Sequence, residues 1–130
     1  MVAASWPCQH RTVKRVLIVD DHVRFRATAR RWLASGGFDV VGEAADGGDA
    51  LEAAARLRPD VVLLDVQLPD INGFELAARL SSIGACPAVI LTSSRDAAEF
   101  GDLVARSGAR GFIPKAELSG ARLASLLQLR

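Results

Sequence analysis

The sequence predicts an α/β domain: a parallel sheet covered by helices on both faces. Two observations predict it. Short apolar runs alternate with helical patterns along nearly the whole chain, giving five βα units in sequence. The runs are continuously apolar, without the polar alternation of a half-exposed sheet, which suits strands buried on both faces.

The elements follow in order. Val16-Leu17-Ile18-Val19 reads as a buried strand from its length and β-branched content. From Val23 to Ala34, Phe25, Ala29, Trp32 and Leu33 recur at helical spacing, and Gly36-Gly37 ends the helix. Val40-Val41-Gly42 is a second, weaker strand near an edge. Asp46-Gly47-Gly48-Asp49 turns into a helix with Ala50, Leu51, Ala54 and Leu57 on one face, stopped at Pro59. Val61-Val62-Leu63-Leu64 is the third and most apolar strand. A loop over Leu68 to Gly73 precedes a helical face of Phe74, Ala77 and Leu80. Ala88-Val89-Ile90-Leu91 is the fourth strand. Phe100, Leu103, Val104 and Ser107 predict a helix ending at Gly108. Gly111-Phe112-Ile113 is the fifth strand, and Leu118 to Leu129 a final amphipathic helix.

The chain has 130 residues, of which 50% are hydrophobic, enough for one compact domain with a sizeable core. Residues 1–14 lack periodicity and read as a flexible arm, leaving 15–130 as the domain. The formal net charge of +1 argues against a strongly basic nucleic-acid surface, so direct nucleic-acid binding by this segment is not expected. Cys8 and Cys86 are far apart, with neither metal-ligand nor disulfide spacing, and Cys86 reads as a packing residue. No stretch approaches the roughly 18 apolar residues of a membrane span. A cytoplasmic protein with reduced thiols is the expectation.

In an open parallel sheet, ligands gather at the carboxyl ends of the strands. The first strand ends in Asp20-Asp21, the third in Asp65, the fourth in Thr92-Ser93-Ser94, and the fifth runs into Pro114-Lys115. Three carboxylates, a hydroxyl and an ammonium therefore converge on one sheet edge. Clustered carboxylates either keep protons or recruit a cation. An oxygen-only ligand set without Cys or His suits a hard ion such as Mg²⁺ or Mn²⁺. A carboxylate can also serve as a nucleophile and form an acyl phosphate, with metal and ammonium screening the incoming phosphoryl charge. Lysine occurs only at Lys14 and Lys115 in an otherwise arginine-based chain. A compact ammonium suits this role better than a planar guanidinium, which accounts for Lys115.

Residues 15–130 resemble receiver domains of bacterial two-component systems. The resemblance rests on Val16 to His22, with the acidic pair, and on Leu63 to Gly73, with Pro69 four residues after Asp65 and Gly73 eight after. Leu91-Thr92-Ser93 and Phe112-Ile113-Pro114-Lys115 complete it. The family likeness implies a flavodoxin-like sheet in strand order 2-1-3-4-5. It makes Asp65 the phosphoacceptor, and Asp20, Asp21, Asp65 and the backbone carbonyl of Gln67 the metal ligands. It makes Thr92 and Lys115 partners of the phosphoryl oxygens, and Thr92 with Phe112 the switch pair. Phe112 replaces the commoner Tyr, a mild departure. A cis peptide between Ile113 and Pro114 is also implied, although a trans bond is commoner for any single X–Pro. The implied phosphodonor is a histidine kinase, with self-dimerisation of the phosphorylated form as a further expectation. The implied class is a signalling switch rather than a turnover enzyme. The phosphoacceptor segment and the stretch Phe112 to Ser125 most resemble receivers that carry a helix-turn-helix DNA-binding domain.

Each residue alone has an ordinary reading. Asp21 could cap a helix, Asp65 could begin an Asx turn, Lys115 could be a solvated charge and Phe112 core. Joint placement on one edge tells against these. His22 follows the acidic pair at a helix start, unlike a phosphotransfer histidine. Arg24, Arg26, Arg30 and Arg31 read as a solvated face, with kinase docking as the functional alternative. Gly47-Gly48 lacks a phosphate-binding fingerprint. Two other functions compete with this reading. An aspartyl phosphatase of the haloacid-dehalogenase type would place its nucleophile in an Asp-x-Asp pattern after the first strand, whereas here the two acids are adjacent. An unphosphorylated scaffold would have no need of the complete acidic and lysine set.

Overall fold

A computed structural model describes residues 13–83 and 87–127. Strand β1 (Arg15–Val19) leads to α1 (Val23–Ser35), β2 (Asp39–Ala44), α2 (Gly47–Leu57), β3 (Val61–Asp65) and α3 (Gly73–Ser81). Then come β4 (Ala88–Ser93), α4 (Leu103–Arg106), β5 (Gly111–Pro114) and α5 (Gly120–Leu127). The strands form one parallel sheet in the order β2-β1-β3-β4-β5, as the resemblance implies, with β2 at an edge. Residues 1–12 of the expected arm, with Trp6 and Cys8, lie outside the described residues, as do Cys86 and Leu129. The backbone of Lys14 already joins the sheet, its carbonyl accepting from the Asp39 N–H at 2.9 Å.

Alternate residues of each strand feed opposite faces, which is why the runs are continuously apolar. Leu17, Val19, Val62, Leu64, Val89 and Leu91 pack with Ala50, Ala54, Leu76 and Leu80 from α2 and α3. Val16, Ile18, Val61, Leu63, Ile90 and Ile113 pack with Ala29 and Leu33 of α1 and Leu123 of α5. Each fully buried leucine contributes on the order of 1.5–3 kcal/mol, so both helix layers are held by many such increments.

Helix ends follow local chemistry. Asp46 caps α2 by accepting from the Asp49 N–H, and Asn72 caps α3 by accepting from the Phe74 N–H. Gly37, at φ 93°, lets the chain leave α1 in a left-handed turn. Two expectations are corrected. The single helix through Phe100 and Ser107 is instead a 3-10 turn over Ala97–Phe100 followed by the one-turn α4. Gly101 between them sits at φ 59°, ψ −130°, a conformation that interrupts helical hydrogen bonding and is open to glycine. The Ile113–Pro114 bond is trans, since no described peptide is cis. Pro114 ends β5 opposite Ser93 with extended backbone, φ −58° and ψ 141°, compatible with the ordinarily favoured isomer.

Gly73 opens α3 where the chain folds back over the end of β3. A Cβ there would stand 2.5 Å from Val66 Cα and 2.7 Å from the Asp65 carbonyl oxygen, both backbone atoms that cannot step aside. Gly73→Ala is therefore expected to destabilise the domain by about 2 kcal/mol or more in urea unfolding. A loss below about 0.5 kcal/mol, the range of ordinary surface substitutions, would contradict this close approach.

Candidate functional site: a carboxylate pocket at the carboxyl edge of the sheet

Register places the pocket. Val19 pairs with Leu64, so the next residues, Asp20 and Asp65, emerge side by side, and Asp65 itself pairs with Thr92. Asp20 is fully buried, Asp65 is 3% exposed and Thr92 1%. Lys115, just beyond β5, reaches across with its Nζ 2.6 Å from Asp20 Oδ2 and 3.5 Å from Asp65 Oδ2. Asp21 is exposed at the rim. One ligand atom each from Asp20, Asp21, Asp65 and His22 lie within 4.8 Å of one another. The four charged side chains expected at the site are thus brought together.

The β1–α1 junction is built by Asp20. Its Oδ1 accepts from the His22 N–H at 2.8 Å, and the His22 ring Nδ1 lies 3.0 Å from the same oxygen and 3.1 Å from Asp21 Oδ1. Helix α1 begins with no side-chain cap, so Asp21 is not the N-cap that its position allows. On β3, Asp65 Oδ1 accepts from the Gln67 N–H at 3.2 Å, and a Gln67–Asn72 bridge closes the loop that carries this peptide.

Burial raises the Asp65 pKa above the ordinary carboxylate value, and the Asp20 carboxylate pushes the same way. Lys115 and the Gln67 N–H oppose the rise without cancelling it. Two buried oxygens, Asp20 Oδ2 and Thr92 Oγ1, have no hydrogen-bond partner among the described residues. Lys115 neutralises Asp20 Oδ2 by proximity as an ion pair, without hydrogen-bond alignment. Two carboxylates facing one ammonium, a third within the same cluster beside His22, and two buried oxygens without a hydrogen bond fit a hard divalent cation held through the carboxylate oxygens. Oxygen donors are what such an ion takes.

Several residues at the site were not singled out for it from the sequence. Arg26 donates to the Asp20 carbonyl and its Nε lies 2.9 Å from Glu43 Oε1, while Arg30 Nε lies 2.8 Å from Glu43 Oε2. Burial pushes Glu43 up, but the two guanidinium partners outweigh it and its pKa is lowered. Part of the arginine face on α1 thus ties the end of β1 to β2. Asp70 accepts from the N–H groups of Gly47 at 2.8 Å and Gly48 at 3.1 Å, which holds its pKa low. That contact pins the β3–α3 loop to the start of α2. It also consumes the amides lining a groove of about 440 Å³ between Gly47 and Arg79. The glycine pair at a helix start was the available signal, but the acid that accepts from its amides lies 22 or more residues away. Phe112 belongs to an aromatic cluster. Its ring centroid is 5.7 Å from Phe100, which is 5.4 Å from Phe74.

Residues 16–128 match the response regulator receiver domain. The chain belongs to that family. The receiver is 33% identical over 125 residues to the transcriptional regulatory protein PdtaR of Mycobacterium tuberculosis, covering 89% of this chain and 61% of that one. It is 38% identical over 105 residues to a Pseudomonas aeruginosa protein described as a transcriptional regulator, covering 81% and 51%. Among solved structures it resembles the signal receiver domain described as that of the response regulator NarL from Mycobacterium tuberculosis. There the TM-score is 0.80 at 35% identity, covering 92% of this chain and 100% of that one. A two-component response regulator of the LuxR family from Aurantimonas gives TM-score 0.80 at 29% identity, covering 92% and 89%. The chain spans about half the length of the first curated relatives it matches. No helix among the described residues is long and apolar enough to cross a membrane.

The raised Asp65 pKa has a consequence for the receiver's stability. The native state holds this proton more tightly than the unfolded chain. Stability therefore falls as pH climbs from the ordinary carboxylate pKa through the raised native one. Asp65→Asn removes the buried charge, so without divalent metal its melting temperature at about pH 7 should exceed that of the wild type. The margin should shrink near pH 4, and Mg²⁺ should narrow it at neutral pH. A variant no more stable than wild type in metal-free neutral buffer would contradict the electrostatic reading.

Proposed function

We propose that the receiver takes a phosphoryl group from a histidine kinase onto Asp65, with a divalent cation, Mg²⁺ or Mn²⁺, held by Asp20, Asp21, Asp65 and the Gln67 carbonyl. The observation that carries this is the buried Asp65 carboxylate 3.5 Å from the Lys115 ammonium, beside the second buried acid Asp20. The cation would neutralise the carboxylates and screen charge on the transferring group.

The chain's own residues supply the rest. A carboxylate oxygen of Asp65 attacks phosphorus. The bond to the donor breaks, and its electron pair leaves with the histidine or acetate. Lys115 Nζ faces Asp65 Oδ2 and can donate to one phosphoryl oxygen. The unbonded Thr92 Oγ1 is available to a second. Its Asp65-paired position on β4 makes it the neighbour that responds when Asp65 changes. Thr92 moving toward the phosphoryl group frees space for Phe112, and the ring of Phe100 packed against it, just before α4, passes the change to the α4–β5–α5 face. The response is a population shift between two arrangements. A switch rather than repeated turnover suits a nucleophile that keeps its phosphoryl group. The transcription-regulator names of the relatives support an effector that acts on transcription in the intact protein. A cytoplasmic setting and self-association of the phosphorylated form belong to the same proposal and rest on the receiver reading alone.

Acetyl phosphate with Mg²⁺ should add one phosphoryl group, which borohydride trapping and mass spectrometry place on Asp65. Labelling should fall at least about a hundredfold without metal or in Asp65→Asn. Beryllofluoride, standing in for the phosphoryl group, should shift NMR signals from Ser93 to Phe112. Undiminished labelling of Asp65→Asn would sink the assignment, and shifts confined to the Asp65 loop would sink the coupling to Phe112.

A further inference from the structure

We propose that Phe25 is a positioning residue for Lys115, holding its ammonium at the carboxylate pocket through the face of the ring. The role given to Lys115 in phosphoryl transfer is the reading on which this builds. Lys115 Nζ lies 4.4 Å from the Phe25 ring centroid, within the range of a cation–π contact. Its other charged neighbours are Asp20 Oδ2 and Asp65 Oδ2. The Lys115 side chain is 17% exposed, so most of its hydration has been replaced by these three partners.

The three differ in how they respond to metal. The carboxylates attract the ammonium only while they carry uncompensated charge. A divalent cation among Asp20, Asp21 and Asp65 takes up that charge and itself repels the ammonium. The attraction of the ring comes from its quadrupole, which metal occupancy leaves unchanged. Phe25 is thus the partner that stays favourable in the metal-loaded pocket. It keeps Nζ in place for an incoming phosphoryl oxygen. The placement of the ring is itself specified. Phe25 lies within the first turn of α1, next to Arg26, which is tied to the Asp20 carbonyl and Glu43, and its other contacts are with the α1/α5 core. One short segment, Asp20 to Arg26, therefore brings both a carboxylate and the ring to the same ammonium.

The test replaces Phe25 in the full chain with 3,4,5-trifluorophenylalanine, which keeps the shape but depletes the negative face. The readouts are the proton and carbon signals of the Lys115 ε-methylene with and without saturating Mg²⁺, and the half-saturation for beryllofluoride. With the native ring, the upfield ring-current displacement of the ε-methylene should persist in Mg²⁺. With the fluorinated ring it should collapse on adding Mg²⁺, and half-saturation should rise about three- to tenfold. Phe25→Trp, with a stronger face, should behave like wild type or better. Loss of the displacement on adding Mg²⁺ to the native-ring protein would overturn the proposal. So would a fluorinated protein that keeps both the displacement and the native half-saturation. The Mg²⁺ arm needs no phosphoryl chemistry. A native protein that retains the displacement but ignores beryllofluoride would support the Phe25 contact while refuting the phosphoacceptor reading.

Discussion

The repulsion among Asp20, Asp21 and Asp65 is the constraint on which this receiver is organised. Two unit charges about 4 Å apart interact by roughly 4 kcal/mol at the effective dielectric typical near a protein surface. That is comparable to the whole net stability of a small domain, about 5–15 kcal/mol. The parallel register forces the conflict by delivering Asp20 and Asp65 to adjacent strand ends. Lys115, arriving from beyond β5, relieves part of it, yet burial, with the Asp20 carboxylate adding to it, still raises the Asp65 pKa. On the proposed function, a cation would screen this pocket and leave Asp65 placed to act as the nucleophile.

Much of the surrounding structure keeps these acids where repulsion would otherwise move them. Asp20 cannot turn outward, because its Oδ1 anchors the His22 N–H and its carbonyl is held by Arg26. The Arg26–Glu43–Arg30 cluster binds that junction to the edge strand β2. The β3–α3 loop is closed at its ends by the Gly73 N–H donating to the Val66 carbonyl and pinned within by Asp70 on the amides of Gly47 and Gly48. The charge conflict lies in the side chains of the pocket, while backbone bonds such as the Asp20 N–H to the Ala44 carbonyl and the Val66 N–H to the Thr92 carbonyl hold the chain around it. Such an arrangement lets a ligand change the charge balance without unfolding the site.

The parts of this picture readable in the sequence are those written in local pattern. Continuous apolar runs announced a sheet buried on both faces, and the residue after each run announced the pocket, because strand ends in a parallel sheet share one edge. The long-range pairings were not readable. Arg26 reads from the sequence as part of a solvated face, Asp70 as a loop residue, and Glu43 stands in no local pattern, because their partners are set by the crossovers and not by sequence spacing. The apolar spacing of Phe100, Leu103 and Val104 predicted one helix where Gly101 divides the segment. Periodicity registers side chains and is blind to a single left-handed backbone. The expectation of a cis Pro114 came from likeness alone, and the trans bond seen is the one that backbone energetics favour.

If charge relief organises the pocket, its cation must be held jointly by the acids of the β1 end and by Asp65. The most direct test is a Mg²⁺ titration followed by NMR in the wild type, Asp20→Asn and Asp21→Asn, with Asp49→Asn as an exposed acid outside the pocket. Each pocket substitution should weaken Mg²⁺ by at least about tenfold, equivalent to roughly 1.4 kcal/mol, while Asp49→Asn leaves affinity unchanged. Wild-type affinity in both Asp20→Asn and Asp21→Asn would contradict the account.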